Sequence, residues 1–168
     1  MFNRSTPQLM HGVDGSASWY TPQVIIDLVH RCFPGGFLDP CSSPTAQERV
    51  RALHYLTDGL NTDWKSFRLP VFINPPGGRA RLTQKFWDKF MAEQIPGIWL
   101  HFSLDSLQTL QRPSGNVLDH DTFIFDKRLP YYSPSLCKEV PGLRPSALTF
   151  VRYSPYRETV DLKGTWIR

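Results

Sequence analysis

The stretch Val71-Phe72-Ile73-Asn74-Pro75-Pro76-Gly77-Gly78 joins a short apolar run to a polar turn stiffened by two prolines. An apolar run of this length, entered through Leu69-Pro70 and left through turn residues, reads as a buried strand. Beyond the turn, Leu82, Phe86, Phe90 and Met91 recur at helical spacing until Pro96-Gly97 ends the pattern. Ile98-Trp99-Leu100-His101-Phe102 is a second run of the first kind, and residues 105–111 read as a further helix. Strand, turn, helix, strand is the repeating unit of a parallel sheet with crossover helices.

The same alternation extends in both directions. Thr21-Pro22 pairs a good N-cap with a residue suited to the first helical position. Val24, Ile25, Leu28, Val29 and Cys32 follow at helical spacing, and Pro34-Gly35-Gly36 stops them. Phe37-Leu38-Asp39 is a short strand that runs into Asp39-Pro40-Cys41-Ser42-Ser43-Pro44, with a second helix expected from about residue 45 to 54. Residues 122–125 and 147–153 are later strands. The expectation is an α/β fold with a compact, largely parallel sheet in one domain spanning residues 1–168. Both odd polar clusters, at Asp39 and at Asn74, fall where strands end, which is where such sheets bind ligands.

Composition agrees with a compact unit. The chain has 168 residues, 40% of them hydrophobic and 13% aromatic, enough for a sizeable core. Fifteen prolines and eleven glycines argue for many turns and against a bundle or coiled coil. No apolar run approaches the roughly 20 residues of a membrane span. The N-terminus has no apolar signal-peptide core, so a cytoplasmic location is expected. Cys32, Cys41 and Cys137 show no C-x-x-C spacing. His30 beside Cys32 reads as an ordinary helix residue, and neither a disulfide framework nor a metal is expected.

The net charge of +4 is unevenly placed. Residues 65–89 carry Lys65, Arg68, Arg79, Arg81, Lys85 and Lys89 against Asp88 alone, and residues 127–168 hold eight basic against three acidic groups. Residues 90–126 between them hold Arg112 against five acids. Two basic blocks around an acidic one fit a polyanion-facing surface, with a solvated charged face as the plain alternative.

Asn74-Pro75-Pro76 carries the most chemistry. The prolines fix the backbone and supply no amide donors, so nearby carbonyls stay available as acceptors. An Asn side chain beside a Pro carbonyl offers two acceptors aimed at one place. That suits an exocyclic amino group, whose two N–H bonds, once held, turn the nitrogen lone pair toward an electrophile. A tight turn after a strand is the plain alternative. No Ser-His-Asp or Cys-His set, phosphate loop or G-x-G-x-x-G appears.

Four blocks occur in order: Trp19-Tyr20-Thr21-Pro22; Phe37-Leu38-Asp39-Pro40-Cys41; Thr57-Asp58-Gly59-Leu60 with Trp64; and Val71-Phe72-Ile73-Asn74-Pro75-Pro76. Together they resemble the phage-type DNA N-6-adenine methyltransferases, a Dam-like family of phages and prophages, over about residues 17–90. The resemblance implies a Rossmann-like sheet with helices on both faces, S-adenosylmethionine as cofactor, DNA as partner and the cytoplasm of a bacterial host. Trp19, Thr21 and Pro22 would line the methionine side. Asp39, with Pro40 and Cys41, would bind the methionine ammonium. Asp58 would bond the adenosine part, with Leu60 and Trp64 against the adenine ring. Asn74, Pro75 and Pro76 would be catalytic, orienting the amino nitrogen of a base taken out of the duplex.

The chain also departs from the family. Gly77 and Gly78 stand where an aromatic ring that stacks on the target base is usual, and Trp87 or Phe102 is the expected surrogate, with Phe86 and Phe90 in the core. Gly77, Arg79, Arg81 and Lys85 are the expected DNA contacts. Only 35 positions separate Asp39 from Asn74, which leaves little room for the usual strands between the cofactor and catalytic motifs and argues against a full two-carboxylate ribose and adenine site. Two other outcomes follow from these departures: a degenerate member that binds cofactor or DNA without methylating, and an enzyme with a different amino acceptor.

Overall fold

The computed structural model describes residues 20–76, 80–111, 116–134, 136–155 and 159–167. In chain order the elements are α1 (Gln23–Cys32), β1 (Leu38–Asp39), α2 (Pro44–Val50), β2 (His54–Tyr55), β3 (Val71–Ile73), α3 (Ala80–Glu93), β4 (Gly97–His101), α4 (Asp105–Leu110), β5 (Asp121–Phe125), β6 (Tyr131–Ser133), β7 (Lys138–Val140), β8 (Ala147–Val151) and β9 (Gly164–Ile167). Two 3-10 turns, Gly59–Asn61 and Lys65–Phe67, occupy the connection from β2 to β3.

Seven strands form one sheet in the order β2-β1-β3-β4-β8-β5-β9, and β6 and β7 form a separate hairpin. The pairs β2–β1, β1–β3 and β3–β4 are parallel. The pairs β4–β8, β8–β5 and β5–β9 are antiparallel. The sheet is therefore mixed, a correction to the expected largely parallel one. The reason lies in the connections. Helices link β1 to β2, β3 to β4 and β4 to β5, as parallel crossovers require, whereas among the described residues no α-helix lies between β5 and β9.

Side chains alternate between the two faces as strand geometry demands. Phe72 of β3 and Ile98 and Leu100 of β4 meet Ile25, Ile26, Leu28 and Val29 of α1 on one face. Val71, Ile73 and Trp99 meet Phe86, Trp87 and Phe90 of α3 and Leu107 and Leu110 of α4 on the other. Helices thus cover both faces.

Several boundaries move for local reasons. Thr21 is not the N-cap of α1; Pro22 holds that place, and its carbonyl accepts from Ile25 and Ile26. The second helix ends at Val50, short of the expected residue 54, because Arg51 takes a left-handed φ of 52°. That reversal releases His54 and Tyr55 to pair with β1. Arg152, at φ 50°, ends β8 before residue 153 in the same way.

Chain order places the crevice. After β1 the chain goes to β2 on one side and then crosses β1 to lay β3 on the other. Ligands bind outside the carboxyl ends of strands where the order reverses in this way. Asp39 ends β1 and Asn74 follows β3, so both sit at that reversal.

Trp87 is fully buried and packs edge-on against Trp99 at 5.1 Å and against Phe90 at 6.1 Å between ring centroids. Trp87→Ala empties the interface of α3 with the sheet and is expected to cost about 3–5 kcal/mol, read as a lower midpoint in urea unfolding.

Candidate functional site

A cavity of about 330 Å³ opens at the carboxyl ends of β1 and β3, a volume within the range of roughly 300–1,000 Å³ usual for small-molecule sites. Its wall comes from stretches far apart in the chain. Tyr20 and Thr21 precede α1; Asp39, Cys41, Ser42 and Ser43 follow β1; Thr57, Asp58, Gly59 and Leu60 follow β2; Asn74, Pro75 and Pro76 follow β3. Ala46 and Val50 of α2 and Leu82 and Phe86 of α3 complete it.

Asp39 is only 3% exposed. Its Oδ1 accepts from the Cys41 amide at 3.2 Å and its Oδ2 from Gln47 Nε2 at 2.9 Å. Gln47 is itself fixed, donating to Ser42 Oγ at 2.7 Å and accepting from the Ala52 amide at 2.8 Å. All these donors are neutral, and among the described residues no ion pair involves Asp39. Burial pushes its carboxyl up to about 6, against the bonds from Ser42, Cys41 and Gln47 that pull it down. Beside it, burial and the Asp39 charge raise the Cys41 thiol above its ordinary range. Cys41 therefore lines the cavity as a neutral thiol, not as a nucleophile.

The Asp58-Gly59-Leu60 turn lies directly on the Asp39-Pro40-Cys41 turn. A β-carbon on residue 59 would sit 1.8 Å from the Pro40 carbonyl oxygen, so only glycine permits this approach. Trp64, fully buried, donates from Nε1 to the Gly59 carbonyl at 2.8 Å. The exposed Asp58 carboxylate accepts from Asn61 Nδ2 through both oxygens, at 2.9 and 3.1 Å. Both Asp39 and Asp58 line the cavity.

Asn74 donates from Nδ2 to Thr21 Oγ1 at 3.1 Å. The Thr21 hydroxyl, which does not cap α1, thus anchors the Asn74 side chain to the segment before that helix. Pro75 is buried behind it.

Of the expected site residues, Thr21, Asp39, Cys41, Asp58, Leu60, Asn74, Pro75 and Pro76 come together at one cavity. Pro22 and Pro40 are buried and do not line it; they support the turns that do. Arg81 and Lys85 are exposed on α3 outside the cavity, each next in sequence to a lining residue, Leu82 or Phe86. Trp19, Gly77, Gly78 and Arg79 lie outside the described residues. Neither expected stacking surrogate reaches the cavity: Trp87 is sealed under α3, and Phe102 packs with the α1 face of the core. Trp64 is a support, not a wall. Sequence periodicity missed Phe86, which lies four residues after Leu82 on one helix face, a spacing that does not separate core from cavity. Among the described residues, no cluster of three or more His, Cys, Asp or Glu side chains could hold a metal ion, and no helix is long and apolar enough to cross a membrane.

Two glycines give a paired test of how the turns meet. Gly59→Ala must push the Pro40 turn aside and is expected to lower the free energy of urea unfolding by about 1–3 kcal/mol. Gly35→Ala, with nothing within 4 Å of the added carbon, is expected to stay within about 0.5 kcal/mol of the parent.

No family model, curated protein or solved structure matches this chain.

Proposed function

We propose that the protein is an S-adenosylmethionine-dependent methyltransferase that modifies an exocyclic amino group of a nucleic-acid base, DNA adenine N6 in the first instance, on a Rossmann-like sheet. The carrying observation is the charge of the cavity. Asp39 is buried at one part of the wall with neutral donors only, and Asp58 stands at another. Among the described residues, no Lys, Arg or His lines it. A buried carboxylate without a countercharge is costly unless a ligand brings one. Such a cavity favours a cationic ligand bearing hydroxyl groups and disfavours phosphate-rich cofactors.

S-adenosylmethionine fits these demands, and when bound it supplies an electrophilic methyl on a positively charged sulfur, which an amine takes up as it sheds a proton. Asp39 would pair with the ammonium and Asp58 with hydroxyls of the ribose. Leu60, Leu82 and Phe86 offer the apolar surface for a flat heterocycle. Asn74, anchored to Thr21 through Nδ2, would meet an amino group through its carbonyl oxygen. With the Pro75 carbonyl as second acceptor, that contact would hold the nitrogen with its lone pair directed. Arg81 and Lys85 would put positive charge beside the mouth for a polyanion.

The decisive experiment is transfer of a tritiated methyl to several DNAs, with nucleoside analysis of the product. Asn74→Ala is expected to lower turnover about a hundredfold or more while cofactor affinity stays within a few-fold. Asp39→Asn is expected to weaken cofactor binding at least tenfold by calorimetry. In the parent protein the affinity should be highest near neutral pH, where Asp39 is ionised and the ligand's ammonium is still charged, and should fall toward acid as Asp39 protonates around its value of about 6. The variant should lose that dependence. Absence of methyl transfer to any nucleic acid would refute the proposal.

Salt dependence tests the DNA-facing charges separately. Charge removal by Arg81→Gln with Lys85→Gln is expected to reduce the slope of log affinity against log salt by about 2, close to one for each phosphate that is no longer neutralised. An unchanged slope in filter-binding titrations would show that these side chains only meet solvent.

A further inference from the structure

Among the described residues, only two aromatic side chains line the cavity, Tyr20 and Phe86. They belong to different parts of its wall. The Phe86 ring stacks on Trp64 at 6.5 Å and an interplanar angle of 22°. Trp64 in turn holds the Gly59 carbonyl, so Phe86 goes with the Asp58-Gly59-Leu60 turn. Tyr20 directly precedes Thr21, whose hydroxyl takes the Asn74 amide. One ring stands with the second carboxylate, and the other stands with the group that would orient an amine.

The Tyr20 segment is held from outside by the β6–β7 hairpin. Tyr132 donates its amide to the Tyr20 carbonyl at 3.2 Å, and the two rings meet edge to face at 6.5 Å and 82°. Behind Tyr132, the Arg49 guanidinium lies 3.9 Å from the ring centre. Arg49 pairs with Glu139 at 3.6 Å, and Glu139 accepts the Gln23 amide at the start of α1 at 2.8 Å. The wall that carries Tyr20 is thus tied to α1, α2 and the hairpin together. A single edge-to-face contact covers at most one face of the Tyr20 ring. A ring already fixed in place spends little ordering entropy when a flat partner is laid on it.

We propose that Tyr20 is the platform on which the acceptor's ring rests beside Asn74, which makes the acceptor a planar heteroaromatic amine, a nucleobase, and not an aliphatic amine. This rests on Asn74 as the residue that orients the amino group. Aromatic platforms hold single bases without reading their sequence, because every base has a flat face. Phe86 is then left for the heterocycle of the cofactor.

The test compares Tyr20→Phe, Tyr20→Leu and Tyr20→Ala with the parent, by methyl transfer to DNA and by calorimetry with S-adenosylmethionine. Removal of the ring is expected to raise KM for DNA between about fivefold and a hundredfold, with cofactor affinity within twofold of the parent. Tyr20→Phe should restore the parent KM, and Tyr20→Leu, which fills the space without a flat face, should not. Should Tyr20→Ala melt early, the Phe and Leu variants decide alone. A second measurement needs no turnover: quenching of a single-stranded oligonucleotide containing 2-aminopurine. Quenching should persist in Tyr20→Phe and disappear in Tyr20→Leu. Tyr20→Leu with the KM and quenching of the parent, or an equal loss of cofactor and DNA affinity, would overturn the platform. Quenching through Tyr20 without methyl transfer would keep the platform and sink the enzymatic assignment. Transfer that is indifferent to the ring would do the reverse.

Discussion

The close approach of the Gly59 backbone to the Pro40 carbonyl oxygen sets the width of the cavity. With no side chain at residue 59, two turns that are nineteen positions apart lie one on the other. One ends β1 and carries Asp39; the other follows β2 and carries Asp58 and Leu60. A larger residue would separate the two carboxylates by forcing the turns apart. Trp64 holds the upper turn from behind through the Gly59 carbonyl. Glu93 accepts the Trp64 amide at 3.4 Å and the Lys89 ammonium at 2.8 Å, which carries the same support into α3. The cavity is therefore built on backbone contacts, and its side chains are set by turns that cannot slide.

Asp39 shows what such a frame makes possible. Left to itself a buried carboxyl takes up a proton, and this one is raised well above the ordinary 3.8. Three neutral donors keep it aimed without satisfying its charge. The protein thus stores an unfavourable group at a fixed place, and a cation entering the cavity relieves it. His101 illustrates the opposite use of burial. It bonds Ser106 at 2.8 Å and Thr149 at 2.9 Å, and burial holds it neutral down to about pH 3. That network ties β4 to α4 and β8 and asks nothing of a ligand.

Much of this arrangement was legible in the residues. Strands ending at Asp39 and before Asn74 followed from short apolar runs stopped by proline turns, and parallel pairing then had to bring those ends together. The later strands were harder. His54 and Tyr55 are both exposed and form a two-residue strand, so neither alternation nor a buried run marks them. In β9, Gly164 opens a strand whose side chains are never fully buried. The mixed pairing depends on connections without helices, which a local pattern does not record. Aromatic residues were the least legible of all. Phe86 is as buried as a core residue and still lines the cavity, while Trp64 and Trp87 are wholly internal. Hydrophobic spacing reports that a side chain leaves water; it does not say whether a ligand shares the space.

The position of β8 bears on how the chain is assembled. β4 has β3 on one side and β8 on the other, and β5, whose other neighbour is the still later β9, reaches the parallel strands only through β8. During synthesis, β4 emerges some fifty residues before the strand that covers its open edge. Until residues 147–151 arrive, a fully buried strand of five residues lacks a partner on that side, and β5 has no place in the sheet at all. Open strand edges are templates for pairing with other chains. Closure from such a distance also carries the loop entropy that slows folding. The nascent chain therefore passes through an interval in which a wholly buried strand is open at one edge, and a single late segment of five residues ends it.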